Sequence, residues 1–150
     1  MAKRVLVPLD QSVPAEAVVP LVGDLARGAG ATIRLLQVAP VPEALVNTQG
    51  RVVVYVHQEM QRLEAEALDY LRAVEARLDG VPVEVAIRFG DPVEEILHEV
   101  DAFGADLVAL TTEGRSALGR AVFGSVAEAV FRKAQAPVLL YHPGPRGPAS

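Results

Sequence analysis

The residues with the most chemical content stand where short runs of Val, Ile and Leu come to an end. Gly114 and Gly124-Ser125 bracket nine residues that follow the run closing at Leu110-Thr111. Glycine at both ends of such a segment lets the main chain approach a bulky anion, and a helix opening at Gly124-Ser125 aims free N–H groups and its positive dipole end at that anion. The Ser125 hydroxyl adds a donor. Asp10 stands just past the first run, Arg4-Val5-Leu6-Val7-Pro8-Leu9, and is the kind of carboxylate that accepts hydrogen bonds from a ribose or a base. Val38, closing the second run, offers an apolar wall for a purine. Together these groups describe a nucleotide site. Each also has a plainer reading: the glycines punctuate turns, Gly124-Ser125 caps a helix, Asp10 supports the helix turn after it, and Val38 is core.

The elements that must position them follow from hydrophobic period. Residues 4–9 read as a buried strand, and Ser12 as the cap of a helix with Pro14 in its first turn, a kink at Pro20 and an end at Gly28. Residues 32–38 form a second strand, followed by a long connection. In it Val52 to Val56 reads as a strand by propensity, or as a loop packed on the domain or on a neighbouring subunit. Met60, Leu63, Ala67, Tyr70, Leu71, Val74 and Leu78 make one helical stripe ending at Asp79-Gly80. A strand over 83–88 leads to the capping box Asp91-Pro92-Val93-Glu94, which opens a helix running to Gly104. A strand over 106–111, a helix from Ser125 to Gln135 burying Val126, Ala129 and Val130, and a strand over 137–141 complete the pattern. Five strands joined by four helical crossovers predict a doubly wound α/β domain, with a parallel sheet and helices on both faces. Ligands of such sheets sit beyond the carboxyl ends of the strands, where the winding reverses.

Composition removes several functions. The 150 residues suit one domain, read as 1–142 with a disordered tail over 143–150. Fourteen Lys+Arg against nineteen Asp+Glu give a net charge of −5, which argues against nucleic acid or an acidic membrane as partner. The absence of Cys removes thiol catalysis, disulfides and Cys-ligated metal. With no apolar run of about 18 residues and no signal-like start, a soluble cytoplasmic protein is expected. Lys3 and Lys133 are the only lysines and neither follows Gly, so no Walker A loop exists. Pro8-Leu9-Asp10-Gln11-Ser12 stands where a dinucleotide fold needs Gly-x-Gly-x-x-Gly, and Asp10 lacks the acidic neighbour of a phosphoacceptor domain. Gly114-Arg115-Ser116-Ala117-Leu118 lacks the closing Gly of a nucleophile elbow. His57, His98 and His142 show no metal spacing and read as surface or boundary residues.

The combination of segments resembles the universal stress protein family. The matching stretches are Val5-Leu6-Val7-Pro8-Leu9-Asp10-Gln11-Ser12, Leu35-Leu36-Gln37-Val38-Ala39-Pro40, Phe89-Gly90-Asp91-Pro92 with Glu94-Glu95-Ile96-Leu97, Gly104-Ala105-Asp106-Leu107-Val108, Gly114-Arg115-Ser116 through Gly124-Ser125-Val126-Ala127-Glu128, and Ala136-Pro137-Val138-Leu139. The resemblance implies a Rossmann-like sheet of the adenine nucleotide alpha hydrolase type, in strand order 3-2-1-4-5. It also implies a homodimer through the Val138–Tyr141 strand and ATP, with Mg2+, as ligand. In the family's Gly-x-x-Gly-x9-Gly-Ser/Thr signature, Thr111 takes the place of the first Gly, and Gly114, Gly124 and Ser125 match the rest. Asp10 and Val38 then fall where adenosine is held, with Pro8, Leu9, Leu110 and Thr111 beside it. Gly114, Arg115, Gly124, Ser125 and Val126 fall where phosphates are held. Glu113 adds a carboxylate able to help hold a divalent ion bridging the phosphates.

Pairing of the last strand with its symmetry mate would close an apolar sheet edge that is otherwise prone to aggregate. The expected function is a dimeric module whose nucleotide occupancy changes the surface offered to partners. No general base is positioned by the sequence, so hydrolysis is expected to be slow at most. The alternatives are a nucleotide-independent interaction protein of the same fold and a weak ATPase.

Overall fold

The computed structural model describes residues 3–43, 48–51, 55–112, 116–117 and 120–143. Within them run β1 (Arg4–Pro8), a 3-10 segment (Pro14–Val18), α1 (Val19–Ala29), β2 (Thr32–Ala39), α2 (Val56–Glu75), β3 (Val83–Phe89), α3 (Pro92–Phe103) and β4 (Leu107–Thr111). They continue through β5 (Ser116–Ala117), β6 (Arg120–Ala121), α4 (Val122–Lys133) and β7 (Val138–Tyr141). Five strands pair in parallel in the order β3-β2-β1-β4-β7. This is the 3-2-1-4-5 order expected from the sequence. The short β5 and β6, which the sequence did not announce, form a separate antiparallel pair.

β1 lies at the centre because it is apolar on both faces. Val5, Leu6 and Val7 are all buried, with Val5 in register with Ile33 on one side and Leu107 on the other. Crossovers from β1 to β2 and from β2 to β3 step one way across the sheet, and those from β3 to β4 and from β4 to β7 step the other way. Right-handed connections therefore place α1 and α2 on one face and α3 and α4 on the opposite one. The carboxyl ends of β1 and β4 are the point of reversal.

Local chemistry moves several boundaries. Ser12 Oγ accepts the Ala15 N–H at 3.1 Å, but the N-cap position is Val13 and the element that follows is a 3-10 segment, not the expected α-helix. The α-helix proper starts at Val19, so Pro20 sits in its first turn, where the missing N–H has no partner to lose, and no mid-helix kink is needed. α1 runs past Gly28 and ends at Gly30, whose φ of 68° supplies the left-handed cap. α2 stops at Glu75, and tight turns from Arg77 and Leu78 back to Val74 and Glu75 carry the buried Leu78 onward. Val56 is the first residue of α2 and so is not in a strand, while residues 52–54 of that valine run lie outside the described residues. The box at Asp91 forms as expected, the carboxylate accepting the Glu94 N–H at 3.0 Å. α4 begins at Val122, three residues before the expected Ser125, and buries Ala127 and Val130 most deeply. The expected tail falls, over residues 144–150, outside the described residues.

One ionic cluster ties α3 to the sheet. Glu99, only 4% exposed, accepts from Arg34 of β2 at 2.5 Å and from Arg88 of β3 at 2.6 Å. Arg34 also pairs with Glu84 and lies 4.1 Å from the centre of the Phe103 ring. Removing the shared carboxylate leaves Arg34 with Glu84 and Arg88 with Glu95, both nearer the surface. Glu99→Ala is expected to lower unfolding free energy by about 1–2 kcal/mol, less than the loss of a partner from a fully buried pair, because each arginine keeps a second carboxylate. Urea denaturation followed by circular dichroism measures it.

Candidate functional site

At the carboxyl edge, Pro8, Leu9, Leu110 and Thr111 form a buried floor at the ends of β1 and β4, and none of them lines the cleft that opens over β1 and β2. Thr111 is fully buried and its hydroxyl donates to the Ala15 carbonyl at 3.0 Å. Ala15 is thus held by Ser12 at its N–H and by Thr111 at its C=O, which fastens the 3-10 segment to β4. The side chains of these four floor residues serve the core, so what they can offer a ligand is main chain.

Above the floor, Asp10 remains half-buried. Its Oδ1 accepts the Ser12 N–H at 3.0 Å and the Ser12 Oγ–H at 2.5 Å, a turn in which a short carboxylate replaces a backbone carbonyl. The supporting role open to Asp10 in the sequence is realised. Between them Gln11 takes φ 67°, a left-handed conformation that disfavours side chains by about 1–2 kcal/mol. Gln11 Nε2 donates to Gln37 Oε1 at 3.2 Å, joining this loop to β2. Val38 is half-buried and packs against the core rather than being wholly enclosed by it.

A cleft of roughly 310 Å3 opens here, lined by Asp10, Gln11, Gln37, Val38, Ala39 and Pro40, with Leu63 and Glu66 of α2 on the far side. The two residues expected to contact adenosine, Asp10 and Val38, therefore share one concavity. Gln11, Gln37, Leu63 and Glu66 belong to it as well, and the sequence marks none of them as a site residue. The placing of α2 over the ends of β1 and β2 is a tertiary fact. Glu66 pairs with Arg62, which also pairs with Glu59.

The other half of the edge belongs to α4. Its first turn follows β4 through the β5–β6 pair and so lies at the carboxyl side of the sheet, since α4 returns to the start of β7. With Val122 as first residue, Gly124 and Ser125 lie inside the opening turn, so they do not open the helix as expected. Gly124 and Val126 are half-buried and Ser125 is exposed. Glu113, Gly114 and Arg115 lie outside the described residues. At the same edge Thr112 Oγ1 and His142 Nδ1 are 3.0 Å apart. His57 and His98 lie on the surface of α2 and α3, and among the described residues no group of three His, Asp or Glu could hold a metal.

The wall formed by α2 is pinned by Tyr70. Its hydroxyl donates to Glu16 Oε2 at 2.6 Å, while Arg77 meets Glu16 Oε1 at 2.9 Å. Burial, the bonded Glu16 carboxylate and the nearby Asp10 push the Tyr70 phenol well above its ordinary pKa.

A central reversal in a five-stranded parallel sheet, with a cleft at its carboxyl edge, defines a doubly wound, Rossmann-like α/β domain. The chain belongs to the universal stress protein family, which residues 1–142 match. A universal stress protein of Thermus aquaticus is 36% identical over 84 residues, 55% of this chain and 61% of that protein. One of Methanocaldococcus jannaschii is 34% identical over 80 residues, 52% of this chain and 47% of that protein. The chain thus spans about half the length of these curated relatives. Among solved structures, hypothetical protein MJ0577 superposes with a TM-score of 0.80 at 25% identity, covering 97% of this chain and 99% of that one. The same fold occurs in a universal stress protein in complex with cAMP (TM-score 0.67, 21% identity, 94% and 97% covered). It recurs in an Arabidopsis thaliana family member with AMP bound (TM-score 0.65, 19% identity, 95% and 92% covered).

The raised Tyr70 pKa makes stability depend on alkaline pH. Above about pH 10 the unfolded chain releases a proton that folded Tyr70 retains, so its contribution is full below that pH and declines as pH rises further. Urea midpoints at pH 9 and pH 11 should fall more steeply in the wild type than in Tyr70→Phe.

Proposed function

We propose that this protein is a dimeric adenine-nucleotide-binding module, with ATP and Mg2+ as ligand, whose occupancy alters the surface it offers to partners. The observation that carries the reading is the cleft holding Asp10 and Val38 together over the ends of β1 and β2, at the carboxyl edge from which the chain enters α4. Relatives of the same fold that are described with cAMP and with AMP support adenosine as the neutral end of the ligand.

The charges favour one orientation. Asp10 and Glu66 line the cleft, and Arg62 beside them is already paired, so a phosphate there would meet two carboxylates. The uncharged adenosine suits the cleft, and the phosphates suit the N–H groups at the start of α4. In this reading Gly124, Ser125 and Val126 hold phosphate together with Gly114 and Arg115, and Glu113 contributes a carboxylate to Mg2+. Thr111 is compatible with it, because its side chain is turned into the Ala15 contact. We assign binding rather than turnover, since Asp10 is tied to Ser12 and His142 to Thr112, which leaves neither placed as a dedicated base.

The dimer would form at β7. Among the described residues that strand has a single neighbour, and Leu140 on it is exposed. An open groove of about 1160 Å3 along the 3-10 segment and α1 reaches Tyr141 and His142 beside it, and Val13, Leu21 and Leu25 are exposed nearby along the chain. A second copy would cover both edge and groove.

Two measurements test the reading. Mg-ATP at a hundred times its dissociation constant should stabilise the fold by about 2.7 kcal/mol, seen as a rise in Tm, and Gly124→Val should abolish that rise. Absence of any shift at millimolar ATP would instead favour an interaction protein that works without nucleotide. Sedimentation at micromolar concentration should give a dimer for the wild type and a monomer for Leu140→Lys.

A further inference from the structure

We propose that a recess at the amino edge of the sheet, at the opposite end of β1 from the nucleotide cleft, binds a zwitterion with an apolar tail, of which a free aliphatic amino acid is the simplest case. The recess lies between the second half of α1 and the starts of β1 and β4 and has a volume of roughly 450 Å3. Its walls are carbon: Val5 from β1, Leu107 from β4, Leu25, Ala26 and Ala29 from α1, and Ala31 from the turn into β2. Half of these are alanines, whose methyl groups leave helix and sheet apart where larger side chains would meet. Protein interiors seldom leave such space unfilled. Leu25, 45% exposed, stands at the mouth, where an occupant would cover it.

Two charged groups, Lys3 and Asp106, complete the lining. Asp106 is held in place: its Oδ2 accepts the Arg4 N–H at 2.9 Å, and its own N–H donates to the Arg4 carbonyl at 2.8 Å. Among the described residues its Oδ1 and the Lys3 ammonium make no hydrogen bond or ion pair, with each other or with a third group. A cation and an anion that share one recess and leave each other unpaired match a ligand carrying both charges side by side, its carboxylate toward Lys3 and its ammonium toward Asp106. The last turn of α1, the negative end of its dipole, borders the same recess and favours the ammonium. The aliphatic side chain then lies among the alanines. A simple fatty acid or alkylamine would answer one charge and leave the other.

This site is independent of the nucleotide reading. The two are separated by the length of β1, five residues or about 17 Å.

The test is an amide chemical-shift titration of the full chain with four probes: L-leucine, 4-methylpentanoate, which lacks its ammonium, 3-methylbutylamine, which lacks its carboxylate, and L-serine. Leucine should shift the signals of Val5, Ala26, Ala29, Ala31 and Leu107 saturably in the millimolar range. The acid and the amine should bind about two- to fivefold more weakly, the factor one exposed ionic contact supplies, and serine not measurably. Lys3→Met should weaken leucine by the same factor and leave the amine unchanged. Asp106→Asn, which can still accept from Arg4, should weaken leucine and leave the acid unchanged. Ala29→Leu, at an exposed position, should fill the recess and abolish binding. Each variant is checked for folding by thermal melt. Shifts that do not saturate at tens of millimolar leucine would overturn the proposal. So would equal binding of leucine, acid and amine, which would leave an apolar cavity only, or leucine binding that survives in folded Ala29→Leu.

Discussion

The central strand is the constraint on which the rest depends. β1 is paired on both edges and apolar on both faces, so it is stable only with a strand on each side and a helix layer above and below. Meeting that requirement with right-handed crossovers forces the winding to reverse beside it. The loop leaving β1 turns across to β4 as the 3-10 segment, where Thr111 holds Ala15. The cleft opens on the other side of β1, over the ends of β1 and β2, where α2 crosses.

A gap of this kind carries backbone groups that a sheet would otherwise satisfy, and short side chains do the work instead. Asp10 anchors Ser12, Ser12 holds the Ala15 N–H, and Thr111 holds the Ala15 carbonyl. These bonds fasten the first loop to both central strands before any ligand is considered. Tyr70 and Arg77 extend the same scheme to α2 through Glu16. On the opposite face Glu99 performs a similar service for α3, with two arginines converging on one enclosed carboxylate. Polar groups are therefore concentrated where elements of different direction must be locked together, and apolar ones where they stack.

Much of this was legible without coordinates because it depends on neighbours in the chain. Strand positions follow from runs such as Val5-Leu6-Val7, and the start of α3 follows from Asp91 and Pro92, whose effects reach only three residues. Errors came where one local signal competed with another. Pro20 suggested a kink, yet the 3-10 segment ahead of it moved the true helix start next to the proline. Gly124-Ser125 looked like a helix opening, but the helix starts at Val122. The membership of the cleft was legible by half. Asp10 and Val38 stand at strand ends, whereas Leu63 and Glu66 enter only because α2 crosses above them.

The amino-acid order by itself determined the alternation of elements, the apolar centre and the residue types presented at strand ends, because propensity, capping and hydrophobic period act over a few residues. The tertiary structure alone decided which distant groups meet. Thr111 reaches Ala15 across 96 positions, Arg34 reaches Glu99 across 65, and Gln11 finds Gln37 across 26. Such pairings depend on the order and register of the sheet, which arise from burying all its faces at once and which no single segment specifies.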